Sequence, residues 1–196
     1  MAKNGRVYPS FVVPVPRVQL EPTTPESETG ANANVKESEE NVAHEFYYLQ
    51  WDFHPAPPVP ASTEDIFAKP TTGTSTSTPN PQTSTVLFAP LQEYKLRQSF
   101  ATPYLVLTMY TELASTHGIV LLRGEITPGS AAGTGQADRF MLNQEDAQLL
   151  TMALQKFYLW GEESSNPLGK ELLRTFHEKP QEFQWQDLLK FSNLTI

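Results

Sequence analysis

Several residue types in this chain could do chemistry, but their spacing does not assemble any. The four histidines are His44, His54, His117 and His177. None pairs at metal-ligand spacing and there is no HExxH, so no metal site is expected; His117 suits a turn. No GxSxG elbow presents a serine nucleophile. GSAAGTG, residues 129–135, has the glycines of a phosphate cradle. It lacks the GK[ST] ending and a following helix start, and reads as a flexible linker. Gly169-Lys170 falls inside a helical pattern. Glu162-Glu163 follows a helix end and reads as a solvated pair, not two carboxylates set for acid–base work. Asn193-Leu194-Thr195 is a glycosylation sequon, meaningful only in a secreted chain. There is no cysteine, which excludes thiolate chemistry and disulfides. No catalytic constellation and no cofactor site emerges.

The bulk properties bound what these residues serve. The chain has 196 residues, of which 39% are hydrophobic and 17 are proline. That suits a single domain, 1–196, with a modest core. Net charge is −8, with five basic and ten acidic residues up to position 90, and nine and twelve beyond it. A broad nucleic-acid surface needs clustered Lys and Arg, which this balance does not supply. No apolar run approaches the roughly 20 residues that span a bilayer. MAKNGRVYPS lacks both a signal-peptide apolar segment and an Arg-rich presequence. The chain either works where it is made or has had a targeting segment removed.

The elements are legible in alternation and caps. FATPYLVLTMYTELASTHGIVLLRGE, residues 100–125, reads as two strands joined by a turn at Ser115–Gly118. Alternation puts Leu105, Leu107, Met109 and Leu113 on one face, and Tyr104, Val106, Thr108 and Tyr110 on the other. The second strand runs from Ile119 to Ile126 and carries an Arg123-Gly124-Glu125 expected to be buried at its end, with Arg123 and Glu125 forming a structural pair. YPSFVVPVPR, residues 8–17, is an edge strand or an extended arm, because Pro14 and Pro16 cannot donate ladder hydrogen bonds. EFYYLQWDF, residues 45–53, places Tyr47, Leu49, Trp51 and Phe53 on one face. A further strand or bulged strand pair is expected from Val86 to Leu96. Residues 20–43 and 54–84 are polar, without periodicity, and read as flexible insertions; the second is an overgrown loop between two paired strands. Residues 127–137 read as a flexible loop.

Three helices follow. Asn143 is a good N-cap, with Asp146 completing a capping-box-like pattern. Leu149, Leu150, Ala153, Leu154, Phe157 and Tyr158 then recur at helical spacing up to Gly161. A second helix opens at Asn166-Pro167, with Leu168, Leu172, Leu173 and Phe176 on one stripe, and ends at Pro180. A third, around Gln184 to Phe191, carries Trp185, Leu188 and Leu189. Strands first and helices after imply an α+β fold: an antiparallel sheet with C-terminal helices packed on one face.

FYYLQWDF has two readings. One is core packing; the other is a face held open for a partner, since Tyr and Trp are favoured at interfaces. YPSFVVPVPR carries the same ambiguity. It can lie on the chain's own sheet edge or on another protein.

Taken together these phrases resemble the mitochondrial ATP synthase assembly factor 1 family, which chaperones the β subunit of the catalytic head. YPSFVVPVPR is similar to the family's opening phrase and EFYYLQW to the strand that follows it. FATPYLVLTMYTELASTHGIVLLRGEI is similar to its long hairpin. QKFYLW and then RTFHEKPQEFQWQDLL are similar to its helix and tail. The order is the family's, and the two polar insertions suit a fungal-type member.

The resemblance implies a matrix protein without enzymatic activity or cofactor. It would bind the unassembled ATP synthase β subunit, prevent its aggregation, and leave when the α subunit takes its place. A monomer is expected. Candidate contacts are positions that the sheet and helix stripes leave uncovered: Tyr8, Phe11, Val13 and Pro14 in the arm, and Tyr104 and Tyr110 on the hairpin's second face. On this reading Phe11→Asp weakens client binding and leaves the fold intact. Two other classes stay open: a single-strand nucleic-acid binder, where bases stack on aromatics, and a scaffold subunit of a larger complex.

Overall fold

The computed structural model describes residues 1–17, 43–55, 82–98, 101–129, 140–159 and 168–192. The stretches read as flexible (20–43, 54–84 and 127–137) lie outside these residues except at their ends. Gly161, the Asn166-Pro167 helix start, Glu162-Glu163 and the sequon also lie outside them.

Five strands form one antiparallel meander: β1 (Ser10–Arg17), β2 (Ala43–Phe53), β3 (Ser84–Pro90), β4 (Leu105–Tyr110) and β5 (Leu121–Ile126), in spatial order β1-β2-β3-β4-β5. The expected α+β architecture holds. β1 is an edge strand, its register running from Ser10↔Gln50 to Arg17↔Ala43. β2 and β3 pair from Tyr47↔Pro90 to Phe53↔Ser84, so the two ends of the polar stretch between them are held together by a ladder.

The Val86–Leu96 expectation is corrected in its second half. The strand stops at Pro90, whose missing N–H ends the ladder. LQEYKLR, all tolerable or good helix formers, then winds into α2 (Leu91–Arg97). Glu93 and Arg97 pair across one turn at 4.0 Å, and Gln98, in the left-handed region at φ 48°, closes it. A helix the sequence did not signal, α1 (Ala2–Val7), precedes β1. A one-turn helix, α3 (Ala114–His117), replaces the simple turn between β4 and β5; Gly118 follows it at φ 67°.

The C-terminal helices are α4 (Gln144–Tyr158), α5 (Leu168–Glu178) and α6 (Trp185–Ser192). Asn143 caps α4 as expected: its Oδ1 accepts from the Asp146 N–H at 2.6 Å. α4 buries Leu150, Ala153, Leu154, Phe157 and Tyr158, α5 buries Leu172 and Leu173, and α6 buries Leu188. These meet the sheet face made by Phe11, Val13, Val15, Tyr47, Leu49, Trp51, Val86, Phe88, Leu105, Leu107 and Met109 in one core. The aromatic strand β2 is therefore core on that face. Leu113 does not join it. It lies past the end of β4 and is exposed.

Phe11 is the pin of this packing. Its ring meets Phe157 at 4.8 Å, Phe176 at 5.3 Å and Phe183 at 6.3 Å, all edge-on. Edge-to-face aromatic pairs add about 0.5–1.5 kcal/mol each beyond burial. α1 is drawn in by polar bonds: Asn4 Nδ2 donates to the Tyr158 carbonyl at 3.0 Å, and the Tyr158 hydroxyl donates to the Tyr8 carbonyl at 2.9 Å. Gly5 lies flat on Trp51, where a Cβ would approach ring carbons at 2.5 Å. Gly169 is likewise a packing glycine, with a Cβ there 2.8 Å from the Phe191 ring. That accounts for Gly169-Lys170.

Gly5→Ala should therefore lower the melting temperature. The gain of about 1 kcal/mol in helix propensity is outweighed by overpacking of about 1–3 kcal/mol. A thermal melt of this variant that matched or exceeded wild type would show that α1 does not seat on Trp51.

Candidate partner interface

The sheet has two unlike faces. Opposite the core face stand Val12 of β1, Phe46 and Tyr48 of β2, Leu87 of β3, and Val106, Thr108 and Tyr110 of β4, all half-buried. The register places them side by side: Val12↔Tyr48, Leu87↔Val106 and Thr85↔Thr108. α2 covers one end of this face, with Tyr94 against Tyr48 at 5.1 Å. The rest is a mixed aromatic and aliphatic surface of the kind found at protein interfaces.

At the far end of the β4–β5 hairpin the chain exposes Leu113 (38%), Ile119 (48%), Val120 (52%) and Leu121 (52%). Arg123 and Glu125 pair at 2.8 Å, as expected. They are not buried: their side chains are 61% and 52% exposed. Among the described residues no element covers the second face of β5, and Leu121, Arg123 and Glu125 on it are exposed. Gly124 faces the core side, with a Cβ there 3.2 Å from Leu107.

The sequence-selected residues separate into two groups. Phe11, Val13 and Pro14 are buried in the chain's own structure, so the expectation that they stay uncovered is corrected. Alternation and the three helices turn Phe11 and Val13 inward, whereas Pro14 is buried on the opposite face beside Phe46; Phe11→Asp would unfold the protein instead of leaving its fold intact. Tyr8, Tyr104 and Tyr110 stay half-exposed but are not adjacent. Tyr8 packs on His177 at 5.3 Å, with its hydroxyl 3.5 Å from Glu178. Tyr104 leans on Tyr47 at 6.5 Å and donates to Glu93. Tyr110 ends β4 on the open face.

The histidines have local roles. His177 Nε2 donates to the Ser10 carbonyl at 2.6 Å, His54 meets Thr85 Oγ1 at 2.9 Å, and His117 ends α3. Among the described residues no group of His, Asp and Glu could hold a metal ion.

The model of the family described as ATP11 protein matches residues 1–189. The chain belongs to the ATP11 protein family. It is similar to "Protein atp11, mitochondrial" of Schizosaccharomyces pombe (strain 972 / ATCC 24843), at 28% identity over 173 residues, 88% of this chain. The chain spans 40% of the length of that relative.

The phrases that carried the resemblance fall on the frame of this ATP11-family fold: β1, β2, the β4–β5 hairpin, and the end of α4. What sequence reasoning missed is the ion-pair node that ties β1, β2 and α4 together. Arg17 bonds Glu45 through Nε at 2.9 Å and Asp146 through Nη1 at 2.5 Å. Burial alone would weaken its charge. The hydrogen bonds to Asp146 and Glu45 outweigh that and hold it more firmly protonated than an ordinary guanidinium. No spacing signal links residues 17, 45 and 146, and acidic residues in the first turn of α4 are the ordinary complement of a helix N-terminus.

Three phenols are held neutral by the same packing. Burial, then the bond to Glu93, pushes Tyr104 up to about 12. Burial, then Glu45, raises Tyr47, and burial raises Tyr158. Above about pH 10 the unfolded chain releases phenol protons that the folded chain keeps, so stability declines as pH rises. Melting temperature should thus fall between about pH 10 and about pH 12, and less steeply in Tyr104→Phe. A flat profile across that window would refute the raised phenols.

Proposed function

We propose that this ATP11-family chain is an assembly chaperone for the catalytic head of the mitochondrial ATP synthase. It acts in the matrix without a cofactor. A single copy binds the unassembled ATP synthase β subunit, keeps it from aggregating, and yields it to the α subunit. The observation that carries this reading is the family match over residues 1–189; the relative's name places that protein in mitochondria.

The physical logic is one of competing surfaces. An unassembled ring subunit exposes apolar interface that self-associates. A chaperone must cover that interface well enough to block aggregation, yet bind less tightly than the true neighbour, so that assembly displaces it. Nucleotide hydrolysis is not needed for such an exchange. A sheet with one face sealed by helices and the other half open suits this task. It offers a rigid apolar platform that includes Val106, Thr108 and Tyr110 of β4, while Tyr8 and Tyr104 stand apart from it. The acidic chain and the internal pairing of Arg123 with Glu125 favour a protein client over a nucleic acid.

The test is aggregation of purified ATP synthase β subunit, followed by light scattering with and without this chain, and with the α subunit run in parallel. Suppression selective for the β subunit is expected. Tyr110→Glu should raise the amount needed for half-suppression about tenfold, the loss of one aromatic contact, with an unchanged melting temperature. No suppression, or equal suppression of both subunits, would sink the reading.

A further inference from the structure

We infer that β5 is also a self-association edge: in the absence of a client, two copies of this chain pair β5 with β5, antiparallel about Gly124. The argument starts from the unequal treatment of the two sheet edges. On β1, Pro14 and Pro16 offer no N–H to an incoming strand, α4 and α6 pack against the strand, and Arg17 is locked by Glu45 and Asp146. β5, LLRGEI, contains no proline and no lysine. Just past its end the chain folds back on itself. Pro128 bridges Phe140, and the Met141 N–H donates to the Thr127 carbonyl at 3.1 Å. Among the described residues nothing lies along the outer side of Leu121–Ile126. Unpaired backbone donors and acceptors there form a template for one more strand.

The side chains say which strand. Arg123 and Glu125 share the open face, one on each side of Gly124, so the segment is charge-palindromic. A second copy running antiparallel about Gly124 brings its Glu125 opposite Arg123 and its Arg123 opposite Glu125, turning an intrachain pair into a four-charge alternating cluster. On the other face the same register sets Leu122 opposite Ile126, twice, and the two Gly124 residues opposite each other at the axis. Directly opposed residues of opposite charge, and opposed aliphatic residues, are the pairs that stabilise antiparallel strands. The opposed charges and the opposed aliphatic residues fix the register. The product is one continuous sheet built from two five-stranded halves with two-fold symmetry.

Six residues per copy make a small interface, so the dimer is weak, on the order of 100 μM. Such a dimer covers an aggregation-prone edge and releases it to any tighter-binding partner. It forms in the purified chain whether or not the client is the ATP synthase β subunit.

Sedimentation velocity over a concentration series, with amide exchange on β5, tests it. Wild type is expected to dimerise reversibly, and the Leu121–Ile126 amides to gain protection as concentration rises. Arg123→Glu sets like charges opposite one another at two symmetry-related places and should weaken the dimer about tenfold. The swap Arg123→Glu with Glu125→Arg restores the palindrome in reverse and should recover wild-type affinity. Both residues are exposed, and unchanged melting temperatures confirm that the variants fold. A wild-type chain that stays monomeric, a dimer indifferent to Arg123→Glu, or a charge swap that fails to rescue would each overturn the inference. So would protection of β5 by added ATP synthase β subunit in a chain that never self-associates.

Discussion

Phe11 of the first strand sits among Phe157, Phe176 and Phe183, rings contributed by α4, by α5 and by the turn before α6. Much of the remaining architecture follows from that contact. It forces the apolar side of β1 inward, which sets the face of every strand hydrogen-bonded behind it, because a ladder fixes alternation from one strand to the next. It also gathers the three C-terminal helices onto one side of the sheet. α1 is then held where Tyr158 can reach the Tyr8 carbonyl and Gly5 can lie on Trp51. The Arg17 node with Glu45 and Asp146 fixes the opposite end of β1 to the start of α4.

One side of the sheet is thereby spent on stability and the other is left for contact. The second face keeps enough apolar surface to be useful and enough exposure to be risky. α2 shields part of it through Tyr94 on Tyr48. The edges show the same division: prolines and helices guard β1, whereas among the described residues no strand pairs with the outer side of β5.

Alternation and caps made much of the frame readable. The strict pattern of β4, the aromatic face of β2 and the Asn143 cap are local signals, and each appears where expected. The fold class followed from their order. The misreadings share a cause: the sequence does not say what lies against a strand. YPSFVVPVPR looks the same as a free arm or as a core edge, and only helices more than 140 residues later decide it. Leu91–Arg97 carries apolar residues that suit a strand, and the turn to helix depends on the ladder ending at Pro90. Arg123 and Glu125 were correctly paired but wrongly buried, since exposure depends on β5 being the last strand. Arg17 gave no signal, as its partners are remote in sequence. The open face was legible as a set of residues and not as a surface, because α2 had not been recognised.

The Phe11 contact also orders events in time. Synthesis delivers the N-terminus first. β1 has no inner covering until Phe157, Phe176 and Phe183 exist, so the sheet stays incomplete on one side for nearly the whole period of chain growth. During that interval FVVPVP is an apolar segment without its partners. Pro14 and Pro16 interrupt its capacity to pair with like segments on other chains. The two prolines that mark an edge in the finished fold thus act earlier as safeguards for a strand that must wait for the other end of its own chain.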